Sequence, residues 1–207
     1  MSLTLIFVII TAGVSIVSWN NQQLMARFIF NPYTVFHNKE YHRFITSGLI
    51  HADWTHLIFN MFVLYMFGQQ VEDLFVYTMG DMGWLLYGLL YILGIVVSDI
   101  PTFIKNKHNP HYNALGASGG TAAVLFSYIL FNPSQDLCLY GILCFPGILW
   151  GVLYIIYSVY MGKRQSDNIN HDAHLWGSLF GLVFTILVYP NVISIFIEQL
   201  KYFSLFD

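Results

Sequence analysis

The 207-residue sequence has few charged residues, no basic block and only two cysteines. Charged side chains make up 9% of the residues and hydrophobic ones 57%, and the formal net charge is −3. An ordinary soluble domain carries about 25% charged residues, so this composition excludes that class and indicates an integral membrane protein in a lipid bilayer. Without a basic cluster we expect no nucleic-acid partner. Cys138 and Cys144 lack the spacing of a zinc or redox site and are predicted to be buried, inert thiols.

Apolar runs predict six membrane spans. Their bounds are Leu3–Trp19, Trp54–Gln69, Met82–Val97, Ser118–Phe131, Leu137–Met161 and Ala173–Tyr189. The first run has neither a positive flank before it nor a cleavage pattern after it, which favours an uncleaved span over a signal peptide. Residues 20–50 mix charges with aromatic rings, as expected of a segment that lies in the membrane interface.

The remaining sequence completes the predicted architecture. Residues 191–207 are apolar but include Glu198 and Lys201, which favours an interfacial helix over a seventh span. We therefore expect an all-α membrane protein with two parts. Residues 1–190 form a six-helix domain, and residues 191–207 form a C-terminal interfacial tail.

The fourth predicted span is short and begins with a serine. Its 14 residues, Ser118 to Phe131, rise about 21 Å, against about 30 Å of hydrocarbon. Gly116 permits a tight turn before it, and Gly119 and Gly120 allow a neighbouring helix to approach closely. A polar half-span of this kind indicates a water-filled cavity. Taken alone, the stretch fits a small-residue packing face equally well.

Further polar groups occur at the starts of two other spans. His56 and Asn60 are four residues apart on one face of the second span, and polar groups in a membrane point inward by default. Hydrogen bonding between helices is the structural alternative. In the sixth span, His174 precedes Gly177 by three residues, and Gly177 with Gly181 forms a G-x-x-x-G face that marks close helix contact.

Together these side chains are typical of a hydrolase active site. A serine hydroxyl needs a neighbouring base, and His174 is the candidate base for Ser118. The Ser118 backbone N–H and the side chains of His56 and Asn60 could donate hydrogen bonds to the oxyanion of a tetrahedral intermediate. Asp172 is the one carboxylate near His174 in a membrane position, so a dyad is favoured over a triad.

Other functions fit the sequence less well. A zinc ion could be held by four histidines, His51, His56, His171 and His174. However, the sequence has no H-E-x-x-H motif for a helical zinc protease, and the predicted spans hold no aspartate pair for an aspartyl protease. A transporter should have paired interrupted spans. A protein that binds transmembrane helices without cutting them stays open as the alternative. We predict neither a metal nor a cofactor.

In combination, the motifs resemble those of the rhomboid intramembrane serine proteases. They are H-x4-H-x3-N at His51, His56 and Asn60, G-x-S-G at residues 116–119, and A-H-x2-G-x3-G at residues 173–181. The resemblance implies a six-helix rhomboid-like bundle with Ser118 as nucleophile and His174 as general base. It implies an oxyanion hole made by the Ser118 amide, His56 and Asn60. It also implies that the substrates are transmembrane proteins.

The resemblance assigns further residues. His51 becomes a supporting histidine, and Gly116 and Gly177 are supporting glycines. Arg43 and Glu72 resemble the structural arginine and glutamate around an embedded first loop. Many members carry an aromatic ring four residues after the nucleophile, beneath the catalytic histidine. This chain has Ala122 there, so Trp176 or another ring is expected to take that place.

Charge and resemblance give opposite membrane orientations. Of the eight Lys and Arg residues, seven lie in loops on the predicted active-site side, and only Lys201 lies on the side of the termini. The positive-inside rule would place the active-site side in the cytoplasm. The resemblance places it on the extracytoplasmic side, and we follow the resemblance, with a bacterial inner membrane as the expected location.

Overall fold

The computed structural model describes residues 2–139, 142–164 and 169–201, and most of these residues are helical. In chain order the elements are α1 (Leu3–Trp19), α2 (Gln22–Phe28), α3 (Pro32–Asn38), α4 (Arg43–Thr46), α5 (Trp54–Met79), α6 (Asp81–Asn106), α7 (Ser118–Phe131), β1 (Asp136–Leu139), β2 (Leu143–Pro146), α8 (Gly147–Arg164), α9 (His171–Val188) and α10 (Val192–Lys201). A short 3-10 turn, Ser47–Leu49, follows α4.

The helices pack into a bundle with two distinct ends. At one end, Lys105 near the end of α6 lies 3.2 Å from Asp172 at the start of α9. At the other end, Phe131 of α7 stacks on Tyr189, with ring centroids 5.9 Å apart. There Gln199 of α10 also donates a hydrogen bond to the Phe131 carbonyl oxygen, at 2.6 Å. The β1–β2 hairpin and α10 therefore lie at the end opposite Ser118.

Helix α7 lies at the centre of the bundle, with 12 of its 14 residues buried. A methyl group added at Gly94 of α6 would lie 2.8 Å from Ala123 Cβ. A methyl group at Gly177 or Gly181 of α9 would overlap the backbone carbonyls of Gly119 and Ala123 respectively. Because these contacts follow the same order along both helices, α7 and α9 run in the same direction. Small residues thus bring the backbones into direct contact.

The prediction of an all-α protein is wrong between α7 and α8. Strands β1 and β2 form an antiparallel hairpin in which Asp136 pairs with Pro146. Helix α8 consequently begins at Gly147, ten residues after the predicted start of the fifth span. Pro146 lacks the N–H that a helix interior requires, so the helix begins after it. A continuous apolar run does not distinguish a strand pair from a helix.

The expectation of buried, inert thiols is also wrong. Cys138 and Cys144 are exposed, lie directly opposite each other on β1 and β2, and form a disulfide. Their spacing in the sequence gave no indication of the hairpin that pairs them.

Other bounds differ from the predicted spans at their ends. Helix α6 continues to Asn106, nine residues beyond the predicted end of the third span at Val97, which makes Lys105 helical. Of the predicted tail, Val192–Lys201 forms α10, and residues 202–207 lie outside the described residues, as do residues 165–168 of the predicted loop before α9. Within the described ranges, α6 and α9 are long and apolar enough to cross a membrane, while α1 and α7 are apolar but shorter.

Arg43 stabilises the segment between α1 and α5 through hydrogen bonds and an ion pair. Its Nη1 donates hydrogen bonds to the carbonyl oxygens of Ala26 and Ile29, at 2.8 and 2.7 Å, and its Nη2 lies 2.6 Å from Glu40 Oε2. The side chain is nearly buried. A single guanidinium thus joins the end of α2 to the start of α4, since its fixed fork of donors meets three acceptors at once.

Glu72 lies at the hairpin end of the bundle, away from this segment. Its carboxylate accepts hydrogen bonds from the Leu3 and Thr4 amides and from the Thr4 hydroxyl, at 2.8, 2.9 and 2.8 Å. The first amides of a helix have no partner within the helix, and the positive end of the helix dipole favours a carboxylate there. Glu72 therefore caps α1, contrary to the expectation that it lies around the first loop.

We predict that Glu72→Ala destabilises the protein by about 3 kcal/mol, because it leaves buried donors at the start of α1 without an acceptor. Thermal unfolding in detergent measures the change, with Asp73→Ala as the control because Asp73 is the exposed neighbouring carboxylate. Equal melting temperatures for the two variants would contradict the capping role.

Candidate active site

Ser118 is the first residue of α7 and is half-buried. The chain reaches it through Gly116, whose φ of +116° lies in the region that favours glycine. A methyl group on Gly116 would lie 2.6 Å from Cε1 of the His56 ring. Glycine is therefore needed at this position for conformation and for space, and the turn holds the start of α7 against His56.

The contact between α7 and α9 brings Ser118 and His174 to the same end of this helix pair. Gly177 of α9 packs on Gly119 of α7. Ser118 precedes Gly119 by one residue, and His174 precedes Gly177 by three. Since the two helices run in the same direction, both side chains lie just beyond the contact, on its N-terminal side. Both residues are half-buried, so a reactant could reach them.

Two aromatic residues flank the His174 ring. Tyr154 of α8 stacks on it with ring centroids 5.9 Å apart and an interplanar angle of 20°. His171 meets it edge-on at 5.7 Å and is buried rather than open to solvent. Trp176, which the sequence suggested as the substitute ring, is 44% exposed. The stacked ring is therefore Tyr154.

Asn60 links α5 to α7 in the interior of the bundle. Its Nδ2 donates a hydrogen bond to the His56 carbonyl oxygen at 2.9 Å, and its Oδ1 accepts one from the Thr121 hydroxyl at 3.0 Å. Hydrogen bonding between helices, the structural alternative given for Asn60, is thus present. A side-chain amide has two N–H groups, so Asn60 has a second donor in addition to the one that binds His56.

Several donors are located near Ser118. The His56 ring lies against Gly116 and meets the His51 ring edge-on at 4.9 Å. The amides of the first turn of α7, including that of Ser118, have no acceptor within the helix. The positive end of the helix dipole also favours an anion at this position. The arrangement can therefore stabilise negative charge that develops beside the serine.

His51 is fully buried between α1 and the turn before α7. Its Nε2 accepts a hydrogen bond from the Ala117 amide at 3.2 Å, and its Nδ1 lies 3.0 Å from the Ser15 hydroxyl, which itself donates to the Leu49 carbonyl oxygen. Because Nε2 is an acceptor, the proton of the neutral ring is on Nδ1. Burial, with a smaller effect of His56, lowers the pKa of His51 to about 3. The neutral ring thus links α1 to the start of α7 through hydrogen bonds.

Sequence reasoning missed three residues of this site: Ser15, Thr121 and Tyr154. Ser15 belongs to a polar stripe on the inner face of α1, formed by Thr4, Thr11, Ser15 and Ser18, which are the buried residues of that helix. Their spacing of seven, four and three residues is a helical signal that could have identified this face. Thr121 and Tyr154 acquire their partners only through packing between helices.

The histidines of the discarded zinc hypothesis form two ring pairs. His51 meets His56, and His171 meets His174. Among the residues that the structure describes, no three His, Cys, Asp or Glu side chains come together as a possible metal site.

The amino-acid sequence of the chain matches a known protein family and several known proteins. The family profile described as "Rhomboid domain" matches residues 38–191. "RHOMBOID-like protein 12, mitochondrial" of Arabidopsis thaliana is 28% identical over 183 residues, which cover 83% of this chain and 54% of that protein. "Rhomboid-like protein 11, chloroplastic", also of Arabidopsis thaliana, is 28% identical over 166 residues, covering 72% and 53%. The chain spans about half the length of these two relatives.

We predict that acid destabilises the protein partly through His51. The folded-state pKa of about 3 lies below the ordinary value of 6.5, so the unfolded chain binds a proton between these values that the folded chain does not. This contribution is complete above pH 6.5 and is lost as the pH falls, by at most about 1.4 kcal/mol per pH unit.

Thermal unfolding between pH 7.5 and 4 tests this prediction. His51→Gln keeps an acceptor and a donor but cannot titrate, so its stability should fall less steeply with acid than that of the wild type. His108→Gln removes an exposed histidine and should keep the wild-type slope. An unchanged slope in His51→Gln would show that His51 is not the responsible group.

Proposed function

The chain belongs to the rhomboid family, and from this membership and the geometry of the site we propose that it is an intramembrane serine endopeptidase. The family includes serine proteases, and membership makes the chain an integral membrane protein. The proposal depends chiefly on one observation. Ser118 begins a buried helix at the same end as His174 on the adjacent helix, with which α7 is in backbone contact.

In the proposed reaction, His174 removes the proton from the Ser118 hydroxyl as its oxygen attacks the carbonyl carbon of a peptide bond. The carbonyl oxygen becomes an oxyanion, which accepts hydrogen bonds from the Ser118 amide, the His56 ring and the second N–H of Asn60. His174 then gives the proton to the departing amine, which leaves an ester on Ser118. Water, activated by the same imidazole, hydrolyses that ester and restores the serine.

The proposed substrates are transmembrane proteins, cut in or near their membrane-spanning segments. A helix keeps its carbonyl groups in its own hydrogen bonds, so a segment must unwind before its backbone can enter the site. Residues 1–190 form the six-span protease domain in this proposal, with α1 and α5 to α9 as the spans, and residues 191–207 form a tail at the membrane interface. The reaction uses neither a metal nor a cofactor.

We expect Ser118→Ala and His174→Ala to abolish cleavage equally, and the double variant to be no worse than either. The hydroxyl cannot be activated without the imidazole, and the imidazole has nothing to deprotonate without the hydroxyl, so the two losses are not additive. The measurement uses a panel of single-span reporter proteins, with helix-breaking residues near the end of the span, reconstituted with the protein in liposomes. Reporters that the wild type binds but never cuts would favour the non-catalytic alternative.

Asn60→Ala should lower the cleavage rate by about a hundredfold, because one oxyanion donor is typically worth roughly 3 kcal/mol. Thr121→Val keeps the shape of the side chain but removes the hydroxyl that holds Asn60 Oδ1, and we expect a loss of about tenfold. Thr121→Ser keeps the hydroxyl and serves as the matched control, with activity close to wild type. Equal rates for the Val and Ser variants would contradict an orienting role for Thr121.

We further propose that the active site opens to the extracytoplasmic side, as the resemblance implies. The hairpin with the Cys138–Cys144 disulfide lies at the opposite end, which would then face the cytoplasm, where the reducing environment opens such a bond. Cys138 and Cys144 should therefore react with a mass-tagged maleimide in acid-trapped cells without prior reduction. Copper-phenanthroline oxidation of the purified protein provides the disulfide control. A disulfide in cells would place the hairpin on the extracytoplasmic side and the active site on the cytoplasmic side. This is the orientation that the positive-inside rule gives, and it would contradict the proposed one.

A further inference from the structure

Tyr154 of α8 contacts one ring of α7 and one ring of α9. One turn before it, Gly151 packs α8 on α7, because a methyl group there would lie 3.4 Å from Ile129 Cδ1 and 3.5 Å from Phe126 Cε1. The Tyr154 ring then contacts the Phe126 ring, with centroids 5.7 Å apart. One side of the tyrosine is thus held by α7.

The same ring is nearly parallel to the His174 imidazole, at 5.9 Å and 20°. Stacking on a face fixes the plane of a ring and leaves its edge uncovered, and both imidazole nitrogens lie on the edge. The stack therefore restricts rotation of the imidazole without occupying the atoms that move a proton. Helix α7 supplies no such ring, since the residue four positions after Ser118 is the buried Ala122.

We propose that Tyr154 is a positioning residue for His174, and that its ring, rather than its hydroxyl, holds the imidazole in the orientation that activates Ser118. This inference rests on the proposed function. It means that the general base of the site is oriented by α8, a helix whose side chains are mostly exposed or half-buried, and that the ring expected on α7 is replaced by one on a different helix.

The test compares three variants in the liposome cleavage assay. Tyr154→Phe keeps the stack and should retain kcat within about twofold. Tyr154→Leu removes the ring, and a misplaced catalytic group can cost up to about a hundredfold, so we expect kcat to fall at least tenfold with little change in KM. Tyr157→Leu is the matched control, because Tyr157 is on the same helix and contacts His171; it should stay within about threefold. Full kcat in Tyr154→Leu, or equal losses in Tyr154→Leu and Tyr157→Leu, would overturn the proposal.

A second measurement does not depend on catalysis or on a variant with a disrupted interior. In Ser118→Ala, which keeps Tyr154, stacking should shift the Cε1–H proton resonance of His174 upfield through the tyrosine ring current, and His174→Gln assigns that signal. A random-coil shift would show that the stack is absent and overturn the proposal. If the wild type cuts no reporter while this shift is present, the proposed function has failed and the packing of Tyr154 on His174 has not.

Discussion

The backbone contact between α7 and α9 is the constraint on which the rest of the structure depends. Gly177 and Gly181 allow α9 to lie directly on Gly119 and Ala123, and any larger side chain at either glycine would separate the helices. This contact buries a helix of 14 residues, whereas a membrane-spanning helix needs about 20. Helix α7 therefore begins between other helices, and Ser118, its first residue, is half-buried there.

The interior of the bundle contains many buried polar side chains as well as apolar ones. The buried face of α1 consists of serines and threonines, and hydrogen bonds join Thr4 to Glu72, Asn60 to Thr121, and Thr185 to Ser127. Many large apolar side chains point outward instead. Lipid offers no hydrogen bonds, so polar groups pair between helices, where they also fix the register of the bundle. The network at Ser118 extends this pattern.

Sequence patterns predicted the features of the fold that depend on local composition, such as the ends of helices. The bounds of α1 and α7 match the predicted spans, because polar residues end both apolar runs. The glycines beside Ser118 and His174 predicted where helices touch, and α7 and α9 are in contact there. The hairpin was missed because strands and helices can share one apolar run. Tyr154 was missed because a stack between helices has no signal along the chain, and local patterns could not show that Glu72 caps α1.

The Ser118–His174 mechanism is tested most directly by the site of reaction with a fluorophosphonate, which reacts preferentially with a serine activated as a nucleophile. The protein in lipid nanodiscs would be treated with the probe, digested and mapped by mass spectrometry. We predict one phosphonylated residue, Ser118, and loss of the adduct in His174→Ala. An adduct on another residue, or an unmodified Ser118 in a protein that still cleaves its reporters, would contradict that mechanism.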